Sequence, residues 1–332
     1  MRVEGLDALI AEKDFSGVIR VDRGGDTVLE RAVGWAHRAY QVPMTVDTRL
    51  AMASGSKAFT ALVVLSLAAE GALPLTTHVR ELLGDDLPLV DDRVTVEHLL
   101  ANRSGIGDYL DENAGHQIDD YVMTVPVHTL ADPSDYLSML DGHPQVFPPG
   151  ERFAYNNSGY VVLALLAERA SGSAFVDLVQ QRVCGPANMT DTAYLRSDAL
   201  PERTALGYLD AQGDRSNVLH LPVRGSGDGG AYTTAADVHR LWAALLDGAI
   251  LDRSALAVAW KPHSDVPSER QRYGLGFWLH ESGPGVMLEG YDAGVSFRSV
   301  HDPQSGITHT VLANWSNGAW PITRALDHDL LG

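Results

Sequence analysis

Lysine is scarce in this chain. Only Lys13, Lys57 and Lys261 occur, against 22 arginines, the remainder of 25 basic residues. Lys57 is the single charge between Ala51 and Ala69. A buried ammonium is costly unless it is paired or loses its proton, so such a setting tends to lower a lysine's pKa. A lysine of lowered pKa can act as a general base near neutral pH. Ser54 lies three residues earlier, and a helix would bring both side chains to one face. A hydroxyl needs such a base beside it to attack a carbonyl. The competing structural reading is a lysine snorkelling from a buried helix beside a capping serine.

A second group, Tyr155-Asn156-Asn157, follows a Pro-Gly loop, FPPGERFAYNN, and precedes an apolar segment. A phenol at Tyr155 can pass a proton to a leaving group. The Asn157 amide can hold both Lys57 and a substrate carbonyl. Read without chemistry, the same residues make a surface turn with an asparagine capping a helix.

Elements of definite type must position these groups. SGVIRVDRG and DTVLERAVGWA read as two strands joined at Gly-Gly-Asp, an opening hairpin. The segment from Lys57 to Gly71 reads as a helix that is apolar all round and therefore buried, with Gly71 as its stop. VTVEHLLAN, and SGYVVLALLAERASG running into Gly172, read as helices. TTAADVHRLWAALLDG reads as a capped amphipathic helix ended by Gly248. YGLGFWLH, GVMLEGY, VSFRSVHD and THTVLANW are four strand-like segments. Strands at both ends with helices between them predict an α/β (α+β) fold. It consists of an antiparallel sheet built from both termini, flanked by helices, and a mainly helical insertion. Residues 1–72 and 225–332 would form the sheet domain and 73–224 the helical one, with a cleft between.

Composition narrows the function classes. Of the 332 residues, 45% are apolar and 20% charged, enough to bury a sizeable core. A formal charge of -18 argues against nucleic acid and against an anionic membrane surface. One cysteine, Cys184, excludes an internal disulfide and a multi-thiolate zinc site, and reads as packing. The start, MRVEGLDALIAEKDF, carries acids where an export signal needs an apolar core, and no run of about 18 apolar residues occurs. A cytoplasmic protein without membrane partners is expected, with the oligomeric state left open.

Ser54-Gly-Ser-Lys57 and Tyr155-Asn-Asn157, with the phrases around them, resemble the serine β-lactamase and penicillin-binding-protein superfamily. The branch is that of class C β-lactamases, D-peptidases and carboxylesterases. VTVEHLLANRSGI, FPPGERFAYNNSGYVVLALLAERASG, VCGPANMTDTAY and DGGAYTTAADVHRLWAALL match in order and spacing, from about Ser16 to Asn314. The resemblance implies a β-lactamase/transpeptidase-like fold and an acyl-enzyme route. Ser54 is then the nucleophile, Lys57 and Tyr155 exchange protons, and Asn157 binds substrate. It also implies an oxyanion hole of two backbone N–H groups, from Ser54 and from Tyr291 beside Gly290. At the family's Lys/His-Thr-Gly motif this chain has Leu288-Glu289-Gly290. The cation that helps hold a carboxylate is missing, and Arg298 or another arginine is the available substitute.

The expected function is therefore serine hydrolysis of an ester or related acyl bond in a small molecule. The alternatives are a D-amino-acid peptidase, amidase or β-lactamase, an acyl transferase or cyclase, and a catalytically silent binding protein. No cofactor or metal is expected. Gly225-Ser-Gly227-Asp-Gly-Gly230 matches the dinucleotide fingerprint but lacks its βαβ unit, and suits a cleft-lining loop better. Asp85-Asp86, Asp91-Asp92 and Asp119-Asp120 lack the ligand spacing of a calcium loop. Neither His-Glu-x-x-His nor Gly-x-Ser-x-Gly occurs. Trp242, Trp278, Trp315 and Trp320 are expected in the core or cleft wall, and residues 108–129 and 225–230 are expected to set specificity.

Overall fold

The computed structural model describes residues 5–111 and 118–331. The opening hairpin forms as β1 (Gly17–Arg23) and β2 (Asp26–Val33). Its turn uses Gly24 and Gly25 at φ 59° and 91°, a region that only glycine enters without strain. Six further strands come from the C-terminal part. They are β3 (Ser264–Val266), β4 (Gln271–Tyr273), β5 (Trp278–His280), β6 (Val286–Asp292), β7 (Val295–Asp302) and β8 (Ile307–Ala313). The sheet order is β2-β1-β8-β7-β6-β5-β4-β3, antiparallel throughout. The first strand thus pairs with the last, Gly17 opposite Ala313 and Arg23 opposite Ile307. This is the sheet expected from both termini.

Both faces of the sheet are covered, which is why β8 is buried at all seven positions. On one face α1 (Leu6–Glu12) and the C-terminal helix α5 (Ala319–Leu331) pack Leu6, Ile10, Ile322 and Leu326 against Ile19, Val21 and Val311. On the other face lie α2 (Lys57–Ala69) and α4 (Ala235–Asp247), with α3 (Asn157–Ser171) packed on α2. Helix α4 is stripe-like as its sequence reads. It is capped by the Thr234 side chain and ended by Gly248 at φ 76°. Helix α2 instead buries ten residues on all sides and serves as the axis of the core.

The structure departs from the sequence reading at three places. YGLGFWLH is not one strand, because Gly274 to Phe277 form the link between β4 and β5. Gly276 sits at φ 82°, and a Cβ there would fall 2.3 Å from the Ala61 Cβ, so the link lies against α2. The sheet also carries an edge strand, β3, and covering helices, α1 and α5, that the patterning did not reveal. Finally, among the described residues from 73 to 224, α3 is the one long helix, together with short helices such as Val96–Leu100 and Phe175–Val179. From 185 to 231 the chain has no helix or strand and pairs only through isolated bridges such as Arg196 with Arg224.

Candidate active site

Ser54 does not lie within α2 but on the tight turn that leads into it. Leu50–Ala51 pairs with Tyr232–Thr233, and the Met52 N–H donates to the Ala231 carbonyl at 2.9 Å. The chain then reverses at Ala53, whose φ of 43° is uncommon for a residue with a Cβ, and closes a single 3₁₀ turn, Ala53–Ser56. Ser56 locks this turn, donating its hydroxyl to the Ala53 carbonyl at 2.8 Å and accepting the Ala231 N–H at 3.0 Å. Strained backbone of this kind holds only where the surroundings over-determine it.

Strand β6 passes directly against this turn. A Cβ on Gly290 would lie 2.1 Å from the Met52 carbonyl oxygen and 2.9 Å from the Gly55 nitrogen. A Cβ on Gly55 would lie 2.4 Å from the Phe297 ring. Two glycines therefore permit the contact that sets Tyr291 beside Ser54. Gly290→Ala is expected to lower stability by roughly 3 kcal/mol or more, because backbone must move to admit the methyl. A denaturant midpoint equal to wild type would show that the turn and strand are not held this closely.

The Lys57 side chain, 2% exposed, reaches back under the turn. Its Nζ lies 2.9 Å from Ser54 Oγ, 2.7 Å from Asn157 Oδ1 and 2.7 Å from the Asp228 carbonyl oxygen. The last two partners only accept, so they take two Nζ hydrogens. The hydroxyl partner works in either sense. An ammonium donates to it, whereas a neutral amine receives its proton. One geometry thus serves both protonation states of a lysine that exchanges a proton with Ser54. The Nζ also lies 4.8 Å from the centroid of the Tyr155 ring.

Tyr155 stands at the end of the Pro-Gly loop, stacked on Trp278 with centroids 6.0 Å apart and planes 12° from parallel. Phe153 and Tyr273 complete this aromatic wall. Asn156 caps α3, its Oδ1 accepting the Gly159 N–H at 2.7 Å, which leaves Asn157 as the first helical residue. Asn157 is fixed at three atoms. Its N–H donates to Asp108 Oδ2 at 2.8 Å, its Nδ2 donates to the Leu110 carbonyl at 3.0 Å, and its Oδ1 accepts from Lys57. Asp108 also accepts from the Ser158 N–H and hydroxyl, at 2.8 and 2.9 Å.

Burial pushes the Asp108 carboxyl up from its ordinary 3.8 to about 6, against the lowering pull of the Asn157 and Ser158 hydrogen bonds. In an unfolded chain it ionises near 3.8. Between about pH 4 and 6 the folded state then holds a proton that the unfolded state has lost. Stability from this group consequently falls as pH rises through that window, by about 3 kcal/mol in all. The stability margin of wild type over Asp108→Asn is expected to narrow from pH 4 to 6 and stay level above. A margin constant across thermal melts at those pH values would show that Asp108 titrates normally.

Ser54 and Tyr155 open onto a cavity of about 670 Å³, walled also by Phe153, Trp278, Gly290, Tyr291 and Trp320. Among its described lining residues, four carboxylates (Asp108, Asp111, Glu269 and Glu289) face one cation, Arg152. Leu288, at the position of the family's cation, is 2% exposed and packed in the core. Arg298 does not replace it, since its guanidinium lies 3.6 Å from Glu289 and 3.3 Å from Asp327 and does not line the cavity. Residues 225–230 form no phosphate cradle. A Cβ on Gly227 would lie 2.0 Å from the Tyr160 carbonyl, whose helix this loop abuts, and Thr60 donates to the Gly227 carbonyl at 2.6 Å.

Sequence reasoning missed the buried partner of this site, Asp228. Its carboxylate accepts from the Tyr109 hydroxyl at 2.5 Å while its carbonyl holds Lys57. Burial raises its pKa, and the Lys57 charge opposes that rise. The only signal was an acid set within a run of glycines. Asp108 was likewise visible only as the start of a loop. Trp242 lies in the core, donating to Ser299 Oγ at 2.8 Å, whereas Trp278 and Trp320 line the cavity. Cys184 is buried, which pushes its thiol up to about 12. Two of the acidic pairs enter ordinary ion pairs, Asp86 with Arg169 and Asp92 with Arg80, and Asp119 accepts from the Ser316 hydroxyl at 2.7 Å. No group of side chains arranged to hold a metal occurs among the described residues. No helix among them is long and apolar enough to cross a membrane.

A large antiparallel sheet between helical layers, with a serine and lysine in contact at the start of a buried helix, defines a β-lactamase/transpeptidase-type protein. The chain belongs to the Beta-lactamase family, whose model matches residues 6–331. It is 30% identical to the esterase EstB of Burkholderia gladioli, over 82% of this chain and 76% of that protein. It is 28% identical to a D-aminopeptidase of Brucella anthropi, over 96% of this chain and 60% of that one. The chain thus spans about three fifths of the length of that relative, and 62% of another curated one. Among solved structures, a penicillin-binding protein from Bacillus halodurans superposes with a TM-score of 0.91 at 35% identity, covering 97% of this chain and 99% of that one.

Proposed function

We propose that this protein is a serine hydrolase that opens an ester or related acyl bond of a small molecule through an acyl-enzyme on Ser54. The observation that carries this reading is the 2.9 Å contact between Ser54 Oγ and Lys57 Nζ at the wall of the large cavity. Lys57 takes the hydroxyl proton as Oγ attacks, and Tyr155 delivers a proton to the departing oxygen. The N–H groups of Ser54 and Tyr291 receive the developing oxyanion. Asn157 positions Lys57. The reaction takes place in a cleft between a sheet lobe, residues 1–72 and 225–332, and the lobe of residues 73–224 that carries α3.

The cavity's charge selects among substrates. Among the described lining residues, four carboxylates, one of them (Glu289) beside Arg298, against one arginine disfavour a leaving group that carries its own carboxylate, and Leu288 supplies no cation to hold one. This speaks against penicillins and carboxylate-terminated peptides, and for neutral or cationic leaving groups. Amide hydrolysis is the second reading, favoured by the likeness to the D-aminopeptidase.

Intact-mass spectrometry after parallel incubation with a fluorophosphonate, a p-nitrophenyl ester and a penicillin tests the proposal. A fluorophosphonate adduct and ester turnover without a penicilloyl adduct are expected. A stable penicilloyl adduct would favour a penicillin-binding role, and no adduct from any probe would make the chain a silent binding protein.

A further inference from the structure

Asp228 meets Lys57 in two ways, through its backbone and through its charge. It sits in a tight turn, in which the Ser226 N–H donates to the Gly229 carbonyl at 3.0 Å. The turn aims the Asp228 carbonyl at Lys57 Nζ and its carboxyl at the Tyr109 hydroxyl, at 2.7 and 2.5 Å. Both side chains are buried, so the carboxyl and the amine feel each other's charge with little screening by water.

Tyr109 is clamped at three places. Its N–H donates to Ser158 Oγ at 2.9 Å, its carbonyl accepts the Tyr121 hydroxyl at 2.6 Å, and its own hydroxyl donates to Asp228. Its ring packs edge-on against Tyr136, with centroids 6.2 Å apart. A donor fixed in this way favours the ionised form of the carboxyl it meets. Burial pushes Asp228 up, whereas the Lys57 charge and the Tyr109 hydroxyl pull it back down.

The neighbouring titratable groups are accounted for. Tyr109, Tyr136 and Tyr194 face Asp228, and burial holds all three phenols above their ordinary value. Asp135 and Asp292 bear on Tyr136, and Cys184, its thiol pushed up to about 12 by burial, bears on Tyr194. On the other sides of Lys57 stand the Tyr155 and Tyr160 rings, with centroids 4.8 and 5.5 Å from Nζ. Glu289 lies 3.6 Å from Arg298, and Asp108 accepts the Asn157 and Ser158 N–H groups.

Resting on the serine-hydrolase reading, we propose that Tyr109 and Asp228 form a positioning pair that sets the pH at which Lys57 can take the Ser54 proton. The Tyr109 hydroxyl keeps Asp228 ionised, and the Asp228 carboxylate favours the Lys57 ammonium. Lys57 accepts the Ser54 proton only as a neutral amine, so acylation switches on as pH rises through the lysine's midpoint. The pair moves that midpoint upward. It also makes the neutral amine a stronger base once the midpoint is passed.

The test is the pH profile of kcat/KM for p-nitrophenyl acetate, from about pH 5 to 10. Wild type, Asp228→Asn, Tyr109→Phe, the double variant and Ser54→Ala are compared. Asparagine keeps the shape of aspartate and still accepts from Tyr109, so the first variant removes the charge alone. Asp108, raised to about 6 by burial, is common to all of them and cancels from the comparison. Asp228→Asn should move the acid limb down by about one unit or more, the usual effect of losing one opposite charge nearby. Its plateau at high pH should fall about threefold, as a weaker base requires. Tyr109→Phe should move the limb in the same direction by less. The double variant should match Asp228→Asn, because the hydroxyl acts only through the carboxylate. Limbs that stay at the wild-type midpoint while rates fall at every pH would reduce the pair to packing and overturn this assignment alone. Additive shifts in the double variant would overturn it too. If Asp228→Asn does not fold, Tyr109→Phe decides by itself, and an unmoved limb overturns the proposal. Absence of Ser54-dependent turnover in wild type would overturn the hydrolase reading along with it.

Discussion

Ser54→Ala is expected to reduce ester turnover by roughly 10⁴-fold or more while leaving the fold intact. The effect is large because no other group can form the acyl intermediate. Ser56, the neighbouring hydroxyl, is buried and bonded to the Ala53 carbonyl and the Ala231 N–H. Stability should change little. The substitution removes one hydroxyl, and Lys57 keeps its contacts with Asn157 and Asp228. A net change within about 1 kcal/mol follows, a few degrees in Tm for a chain of this size. Steady-state rates and a thermal melt on the same preparation check both halves. Wild-type turnover in the mutant would exclude Ser54 as the nucleophile.

Lys57→Met is expected to be nearly as damaging to acylation, by roughly 10²- to 10⁴-fold, the usual range for losing a positioned general base. The thioether fills much of the lysine's space but neither donates to acceptors nor takes the Ser54 proton. Unlike the serine variant, this one should also lose stability. The Asn157 Oδ1 and the Asp228 carbonyl each lose the buried donor that Lys57 supplies, at about 1–3 kcal/mol each. Removing a buried ammonium offsets part of that cost. Stopped-flow release of p-nitrophenolate measures acylation directly, and a denaturant titration measures the stability loss. Acylation at the wild-type rate would leave Lys57 only its structural role.

The contrast between the two variants reflects how the site is organised. Lys57 is the hub. It joins the Ser54 turn, the first turn of α3 and the 225–230 loop, and each attachment is itself braced. Asp108 braces Asn157, and Tyr109 braces Asp228. The bracing acids are buried, and both carboxyls are raised in pKa by that burial. Side chains that brace the partners of Lys57 can therefore govern how well the hydroxyl and amine are aligned.

Much of this arrangement was legible along the chain. The apolar surroundings of Lys57 showed a buried helix, and a three-residue spacing placed Ser54 within its reach, because neighbours on a turn follow from backbone geometry alone. The hairpin, the caps Thr234 and Asn156 and the stops Gly71, Gly172 and Gly248 were local signals of the same kind. The glycine pair at 274 and 276 was present in YGLGFWLH, but strand-like neighbours masked the link that it makes. The helix α5 carries Pro321 in its first turn, a residue that reads as a helix breaker and hid the periodicity behind it.

What the sequence determined by itself was the set of reactive groups, the fold class and the local elements that carry them. Only the tertiary structure decided how distant residues meet. Lys57 contacts Asn157 and Asp228 across 100 and 171 residues of chain. Gly290 must close on Met52 and Gly55 before Tyr291 reaches Ser54. The fate of Leu288 and Arg298 and the acidic character of the large cavity were decided in the same way. Spacing along a helix or strand is set by covalent geometry and hydrogen-bonded repeats, so a single sequence displays it. Contacts between remote segments depend on how sheets and helices pack into one core, and no short window of residues encodes that outcome.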